Sequence, residues 1–305
     1  MASSKLIVIL GATEPGWQVR ALTCNTSSPK AQALAARRAQ VAHADLDEPE
    51  SFAAAFEGAN AIFADKPKPG QALNAWAAEY DTQQLKNVID AIAKVLTLKR
   101  FVLSALTNVA KWSNGKYTYV YHFDSKAHAA EYVQEKYPEL WEKTSIFQPG
   151  FFLSNYTSNP LTKVSKNEEG TVQFIRHLEP DVKLPFIAPE EDSGPIVKAL
   201  VNEPAGKNII AYRGWLTMPE LAQTVTKATS LKAESITLPK GTFPPELPEE
   251  LKLELGDNFA ACNEIGYEAR NDPTVIYPRD LKSPPTLDIV EDYWKKQDWS
   301  KVLDA

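Results

Sequence analysis

The tightest constraint on what this chain can fold into lies in its first 23 residues, where two strand-like segments stand almost end to end. Lys5-Leu-Ile-Val-Ile-Leu10 is a short, continuous apolar run, the pattern of a parallel strand buried on both faces. Trp17-Gln-Val-Arg-Ala-Leu-Thr23 reads as a second strand, and only Gly11-Ala-Thr-Glu-Pro-Gly16 separates the two. Parallel neighbours normally need a crossover of about ten residues or more, and six residues reach at most roughly 20 Å when extended. Two geometries stay open. One is a bare extended crossover; the other is a hairpin, with the first strand antiparallel or displaced from the sheet.

From there strands and helices alternate. Pro29 to Arg38 is an alanine-rich helix, Gln40 to Ala44 a third strand ending at Asp45, and Pro49 to Phe56 a short helix. Ala59 to Ala64 is a fourth buried strand, followed by the loop Asp65 to Gly70 and a long helix from Gln71 to Val95. Phe101 to Ser104 is the fifth strand, Phe123 to Tyr137 a helix, and Thr144 to Phe147 a strand running into Gln148-Pro-Gly-Phe-Phe152. This order predicts an α/β fold with a doubly wound, mostly parallel sheet whose N-terminal strand-helix-strand unit is damaged. Beyond residue 155 the pattern loosens, with isolated helices at Pro219 to Ala228 and Thr286 to Trp299 and a Pro/Glu-rich stretch at Pro239 to Glu250. The chain thus divides into residues 1–155 and a smaller α/β region, 156–305, on the substrate side and interleaved with the main sheet.

Composition narrows the function. The 44% hydrophobic content is globular, and a net charge of −6 with no Lys/Arg block argues against direct nucleic-acid binding. Cys24 and Cys262 are far apart and lack metal or disulfide spacing, and no apolar run approaches twenty residues. A cytoplasmic protein without a membrane partner is expected. His43, His128 and His177 are scattered, so no metal site is expected, and no Gly-x-Ser-x-Gly nucleophile motif is present. Trp76 with Tyr80, and Trp294 with Trp299, read as packing aromatics.

Tyr121-His-Phe-Asp-Ser-Lys126, together with Leu98-Lys-Arg-Phe-Val-Leu-Ser104 and Gln148-Pro-Gly-Phe-Phe-Leu-Ser-Asn155, resembles the NmrA-like family of atypical short-chain dehydrogenases. Ala44-Asp-Leu-Asp47 and Phe52 to Asn60 extend the resemblance, which spans roughly residues 5 to 235. It implies a Rossmann-type sheet and NADP as cofactor. It leaves two functional classes: reductases of specialised metabolism, many fungal, and NADP-binding redox sensors that act through a protein partner.

The resemblance also assigns candidate residues. Gly11, Ala12, Thr13 and Gly16 would face the cofactor phosphates, Asp45 and Leu46 its adenosine end, and Lys126, Phe152 and Asn155 its nicotinamide side. The family loop runs Gly-x-x-Gly-x-x-Gly into a helix whose N–H groups cradle the pyrophosphate, whereas this chain places Glu14 and Pro15 there. A carboxylate repels phosphate and proline lacks the N–H donor, so NADP binding is expected to be impaired. Cys24 matches the position of the family arginine that selects the 2′-phosphate; Arg20 faces elsewhere. The loss of loop and first helix is an exon-sized artefact, a true abandonment of the cofactor, or a weakening of its binding.

His122 and Lys126, four apart, share one helical face where the parent superfamily has Tyr-x-x-x-Lys. His122 is the acid/base candidate, and Lys126 would hold the ribose; the competing reading has His122 merely capping or packing. Ser104, Thr107 and Asn108 leave the fifth strand at the carboxyl edge, where α/β proteins place reacting groups, and Ser104 and Asn108 would orient the substrate. Asp124 and Ser125 are expected to cap the helix that follows them. The reading favoured is an enzyme on a small organic metabolite, of NADP-dependent oxidoreductase lineage or acting without cofactor as an isomerase, cyclase or lyase. The alternative is a non-catalytic redox sensor or regulator working through a protein partner.

Overall fold

The computed structural model describes residues 6–9, 17–64 and 75–303. In chain order its strands begin with β1 (Leu6–Ile9), β2 (Gln18–Thr23), β3 (Gln40–His43), β4 (Ala61–Ala64), β5 (Arg100–Ser104) and β6 (Thr144–Pro149). They continue with β7 (Phe151–Phe152), β8 (Ser165–Lys166), β9 (Val172–Arg176), β10 (Lys183–Ile187), β11 (Asn208–Ala211), β12 (Gly214–Thr217), β13 (Ala233–Thr237) and β14 (Val275–Ile276). Eight of them form one sheet in the order β14-β11-β6-β5-β4-β1-β2-β3, parallel at every pairing. The expected α/β class and parallel Rossmann-type sheet are therefore observed.

The hairpin alternative for the first strand is overturned. β1 lies parallel to β2, with Leu6 opposite Gln18 and Ile9 opposite Ala21, and parallel to β4 on its other edge. The reason is burial: Leu6 and Val8 enter one apolar core while Ile7 enters the core on the opposite face. A strand apolar on both faces is best covered in the middle of a sheet. The register leaves roughly 11 Å between the end of β1 and the start of β2, which the eight residues 10–17 span with slack.

The two cores follow from alternation along the strands. On one face Ile62, Phe101, Leu103 and Ile146 pack under the helices Phe52–Phe56, Ala75–Ile92 and Tyr121–Lys136. On the other, Phe63, Val102, Phe147 and Ile209 pack under Ile196, Val197 and Leu200 of the helix Pro189–Asn202. A third core joins the small sheets β12-β10-β7 and β13-β9-β8 to the helices Met218–Thr229, Glu249–Ile265 and Val290–Lys295.

Several element boundaries differ from those expected. The long helix is described from Ala75 to Ile92, residues 71–74 lying outside the described set, and the helix before Tyr137 begins at Tyr121. The helix expected over Thr286 to Trp299 is instead Val290–Lys295 followed by Trp299–Leu303, and the Trp299 indole N–H donates to the Trp294 carbonyl (3.0 Å) across the break.

Trp294 is fully buried, and its indole N–H donates to Thr224 Oγ1 at 2.8 Å. Trp294→Ala should destabilise the protein by about 3–5 kcal/mol, read as a lowered urea midpoint. A loss below about 1 kcal/mol would mean that the C-terminal helices do not share the cooperative core.

Candidate functional site

The order β3-β2-β1-β4-β5-β6 reverses direction between β1 and β4, the place where sheets of this class open a crevice at their carboxyl ends. The loops leaving it, with Gly11, Ala12, Thr13, Glu14, Pro15 and Gly16 in the first, lie outside the described residues. The remaining edge is formed by the ends of β3, β5 and β6.

At the end of β3, Asp45 shapes its own turn: its Oδ1 accepts the Asp47 N–H and its N–H donates to Ser51 Oγ (both 3.0 Å). Leu46 packs on the apolar core. Asp47 accepts from Tyr80 Oη and Gln84 Nε2. Trp76 stacks on Tyr80 with ring centroids 5.5 Å apart but is 68% exposed, so the expectation of packing holds only for that one ring contact. Arg20 Nη1 donates to the carbonyls of Ala55 and Glu57, clamping β2 to a helix, and Cys24 is exposed.

β5 delivers Ser104, 2% exposed, whose Oγ is buried without a hydrogen-bond partner among the described residues. Thr107 donates to Gln148 Oε1 (3.1 Å), and Gln148 in turn donates to Asn208 Oδ1 (2.7 Å). Asn108 is occupied at both ends of its amide. Its Oδ1 accepts the Lys111 N–H (2.8 Å), capping the helix Val109–Trp112, and its Nδ2 donates to Glu131 (2.9 Å). Such an amide holds the loop and is poorly placed to orient a substrate.

Asp124 corrects an expectation. It lies inside the helix Tyr121–Lys136, and its Oδ1 accepts the N–H groups of Val109 (2.7 Å) and Ala110 (3.3 Å), so it caps the preceding helix rather than its own. That contact ties the start of the helix Tyr121–Lys136 to the loop leaving β5. Ser125 is simply buried.

Lys126, one turn along the same face from His122, is half-buried and makes no hydrogen bond or ion pair among the described residues. His122 is engaged instead: Nδ1 and the backbone N–H meet Glu254 Oε1, and Nε2 faces Asn258 Nδ2 at 3.2 Å. Both partners come from the helix Glu249–Ile265, whose Asp257 also accepts the N–H groups of Thr118 and Tyr119 and whose Glu264 takes Lys116 and Tyr117. The sequence reading missed this helix. Glu254, Asp257 and Glu264 fall on one helical face, but that spacing is also what a solvated acidic face would show.

At the end of β6 the backbone passes so close to β10 that a Cβ on Gly150 would lie 2.5 Å from the Pro185 carbonyl oxygen; only glycine fits. The chain then runs through Phe151 and Phe152, which pair with Phe186 and Ile187, to half-buried Asn155 at the start of a short helix. Tyr267 closes this side, donating to the Pro149 carbonyl (3.0 Å) and meeting Phe123 edge-on. Ser104, Lys126, Phe152 and Asn155 therefore all belong to the segments bordering the carboxyl edge of β5 and β6. Among the described residues no group of three or more His, Cys, Asp or Glu could hold a metal, and no helix is long and apolar enough to cross a membrane.

Burial raises the Asp124 carboxyl above its ordinary value against the pull of the two amides it accepts. Between the ordinary and the raised value the folded protein holds a proton that the unfolded chain has released, so this group's contribution to stability falls as pH rises through that window. Asp124→Asn keeps the acceptor and should flatten the curve there, whereas Asp124→Ala should cost about 1 kcal/mol as a lost cap. Urea unfolding from about pH 4 to pH 7 checks both; an unchanged slope in the Asn variant counts against the assignment.

Comparison with known proteins agrees with this architecture. The NmrA-like family profile matches residues 5–294. The NmrA-like family domain-containing oxidoreductase hkm9 of Aspergillus hancockii is 29% identical over 291 residues, covering 84% of this chain and 83% of that protein. Among solved structures, NmrA, a negative transcriptional regulator, in complex with NAD superposes with a TM-score of 0.73 at 19% identity, covering 96% of this chain and 95% of that one. Leucoanthocyanidin reductase with NADPH from Vitis vinifera gives a TM-score of 0.64 at 14% identity, with 98% and 99% covered. With nearly its whole length matched and the parallel sheet in place, the chain belongs to the NmrA-like family.

Proposed function

We propose that this protein is a cytosolic enzyme of NADP-dependent oxidoreductase lineage that acts on a small organic metabolite at the carboxyl edge of β5 and β6, with a weakened hold on the cofactor's pyrophosphate. The observation that carries this reading is Ser104 Oγ, buried at the end of β5 with no partner among the described residues; half-buried Lys126, on the helix Tyr121–Lys136, is likewise unengaged among them. A buried hydroxyl left unpaired costs about 1–3 kcal/mol, and a ligand that satisfies it recovers that cost. On the nicotinamide side the donors suit the family cofactor: Lys126 would hold the ribose, with Phe152 and Asn155 bordering it. By the family resemblance the sequence puts Glu14 and Pro15 at the phosphate loop, where a carboxylate and a missing N–H both oppose an anion. NADP(H), when bound, supplies the hydride; Ser104 orients the substrate oxygen and Lys126 stabilises charge developing there.

One observation favours the second reading, a sensor or regulator working through a protein partner. Both His122 ring nitrogens are already engaged, which is the arrangement of a packed histidine.

Calorimetric titration with NADPH separates the readings. The expected dissociation constant is well above micromolar, Lys126→Met should weaken it by roughly tenfold or more, the worth of one charge-assisted hydrogen bond, and Glu14→Gly should tighten it. Micromolar or tighter binding by the native chain would overturn the weakened phosphate site. An unchanged constant in Lys126→Met would remove Lys126 from the pocket, and no heat up to millimolar NADPH would remove the cofactor, leaving the cofactor-free isomerase, cyclase or lyase chemistry or the partner-binding regulator.

A further inference from the structure

The His122 ring is gripped by a single element, the helix Glu249–Ile265. A carboxylate can only accept, so the ring nitrogen facing Glu254 Oε1 carries the proton; Nε2, facing the Asn258 amide nitrogen at 3.2 Å, then offers its lone pair to that N–H. The hydrogen-bond pattern thus selects one tautomer. Glu254 is 0% exposed, and its second oxygen, Oε2, is buried without a partner. Burying a carboxylate with half its acceptor capacity idle is unfavourable, and an apolar pair would join a helix to its neighbour without that cost. His122, by contrast, keeps 36% of its side chain exposed, so the ring is reachable from solvent although its carboxylate is not.

We propose that Glu254 is a positioning residue for His122, holding the Nδ1–H tautomer so that Nε2 accepts a proton from a substrate hydroxyl or acidic C–H. The Asn258 amide occupies that lone pair until the substrate displaces it. In the step itself the substrate X–H bond breaks, Nε2–H forms, the electron pair stays on X, and the positive charge on the ring faces the Glu254 carboxylate. No oxidant or reductant is required, so the same device serves a cofactor-free isomerisation or elimination and the proton transfer of an oxidation. The proposal rests on the enzymatic reading above for the existence of a substrate, but the tautomer lock stands or falls independently of NADP binding.

Nitrogen-15 NMR of the histidine-labelled full chain tests the lock directly. The native protein should show His122 as a single Nδ1–H tautomer, and Glu254→Gln, whose amide can present either end, should populate the Nε2–H form. Asn258→Ala should uncover Nε2 and raise the rate at which diethyl pyrocarbonate acylates His122, mapped by mass spectrometry, by roughly three- to tenfold, the worth of one neutral hydrogen bond. A native His122 with its proton on Nε2, or a mixture of tautomers, overturns the proposal, as does acylation of Asn258→Ala at the native rate. If Glu254→Gln does not fold, the native spectrum and the Asn258→Ala rate still decide the question. Absent NADPH binding alongside a locked tautomer would fault the cofactor reading alone.

Discussion

Everything in this structure depends on β1 being apolar on both faces. Ile7 belongs to one core and Leu6 and Val8 to the other, so the two layers of helices meet across a single four-residue strand. Burial of that kind is non-directional and scales with area, and it holds the strand between β2 and β4 although the connection to β2 is far shorter than a helical crossover. The sheet order of the family therefore survives in a chain with almost no room for the first helix.

The carboxyl edge shows how polar groups divide between architecture and chemistry. Thr107, Asn108 and Asp124 are all engaged with protein partners: Asn108 and Asp124 pin the loop after β5 to the helix Tyr121–Lys136, and Thr107 ties it to Gln148 of β6. Against this satisfied background Ser104 and Lys126 stand out because they are not engaged. Native proteins pair nearly all buried polar atoms, so an unpaired one at the mouth of a sheet of this class points to a ligand more strongly than residue type alone.

Much of this was legible in the sequence, for physical reasons that differ by residue. The apolar run Leu6 to Leu10 and the alternation after it fix strand type and burial locally, and the spacing of His122 and Lys126 places them on one face without any tertiary knowledge. Asn108 and Asp124 were harder, because a short polar residue near a helix start caps whichever free amides folding brings to it, and for Asp124 those belong to the preceding helix. Glu254 was not legible at all: it lies 132 residues from His122, in a helix whose acids look solvated in one dimension.

That helix has a mechanical consequence. Glu254, Asp257 and Glu264 each reach across to the segment 116–122, so carboxylates join the two along their length beside the apolar core that Ala261 and Cys262 share with Tyr117 and Val120. Salt screens the exposed Lys116–Glu264 pair far more than it screens Glu254, which is shut away from solvent. The wall beside His122 thus has one end, at Lys116, that the surrounding solution reaches and another, at His122, where a sheltered carboxylate keeps its hold.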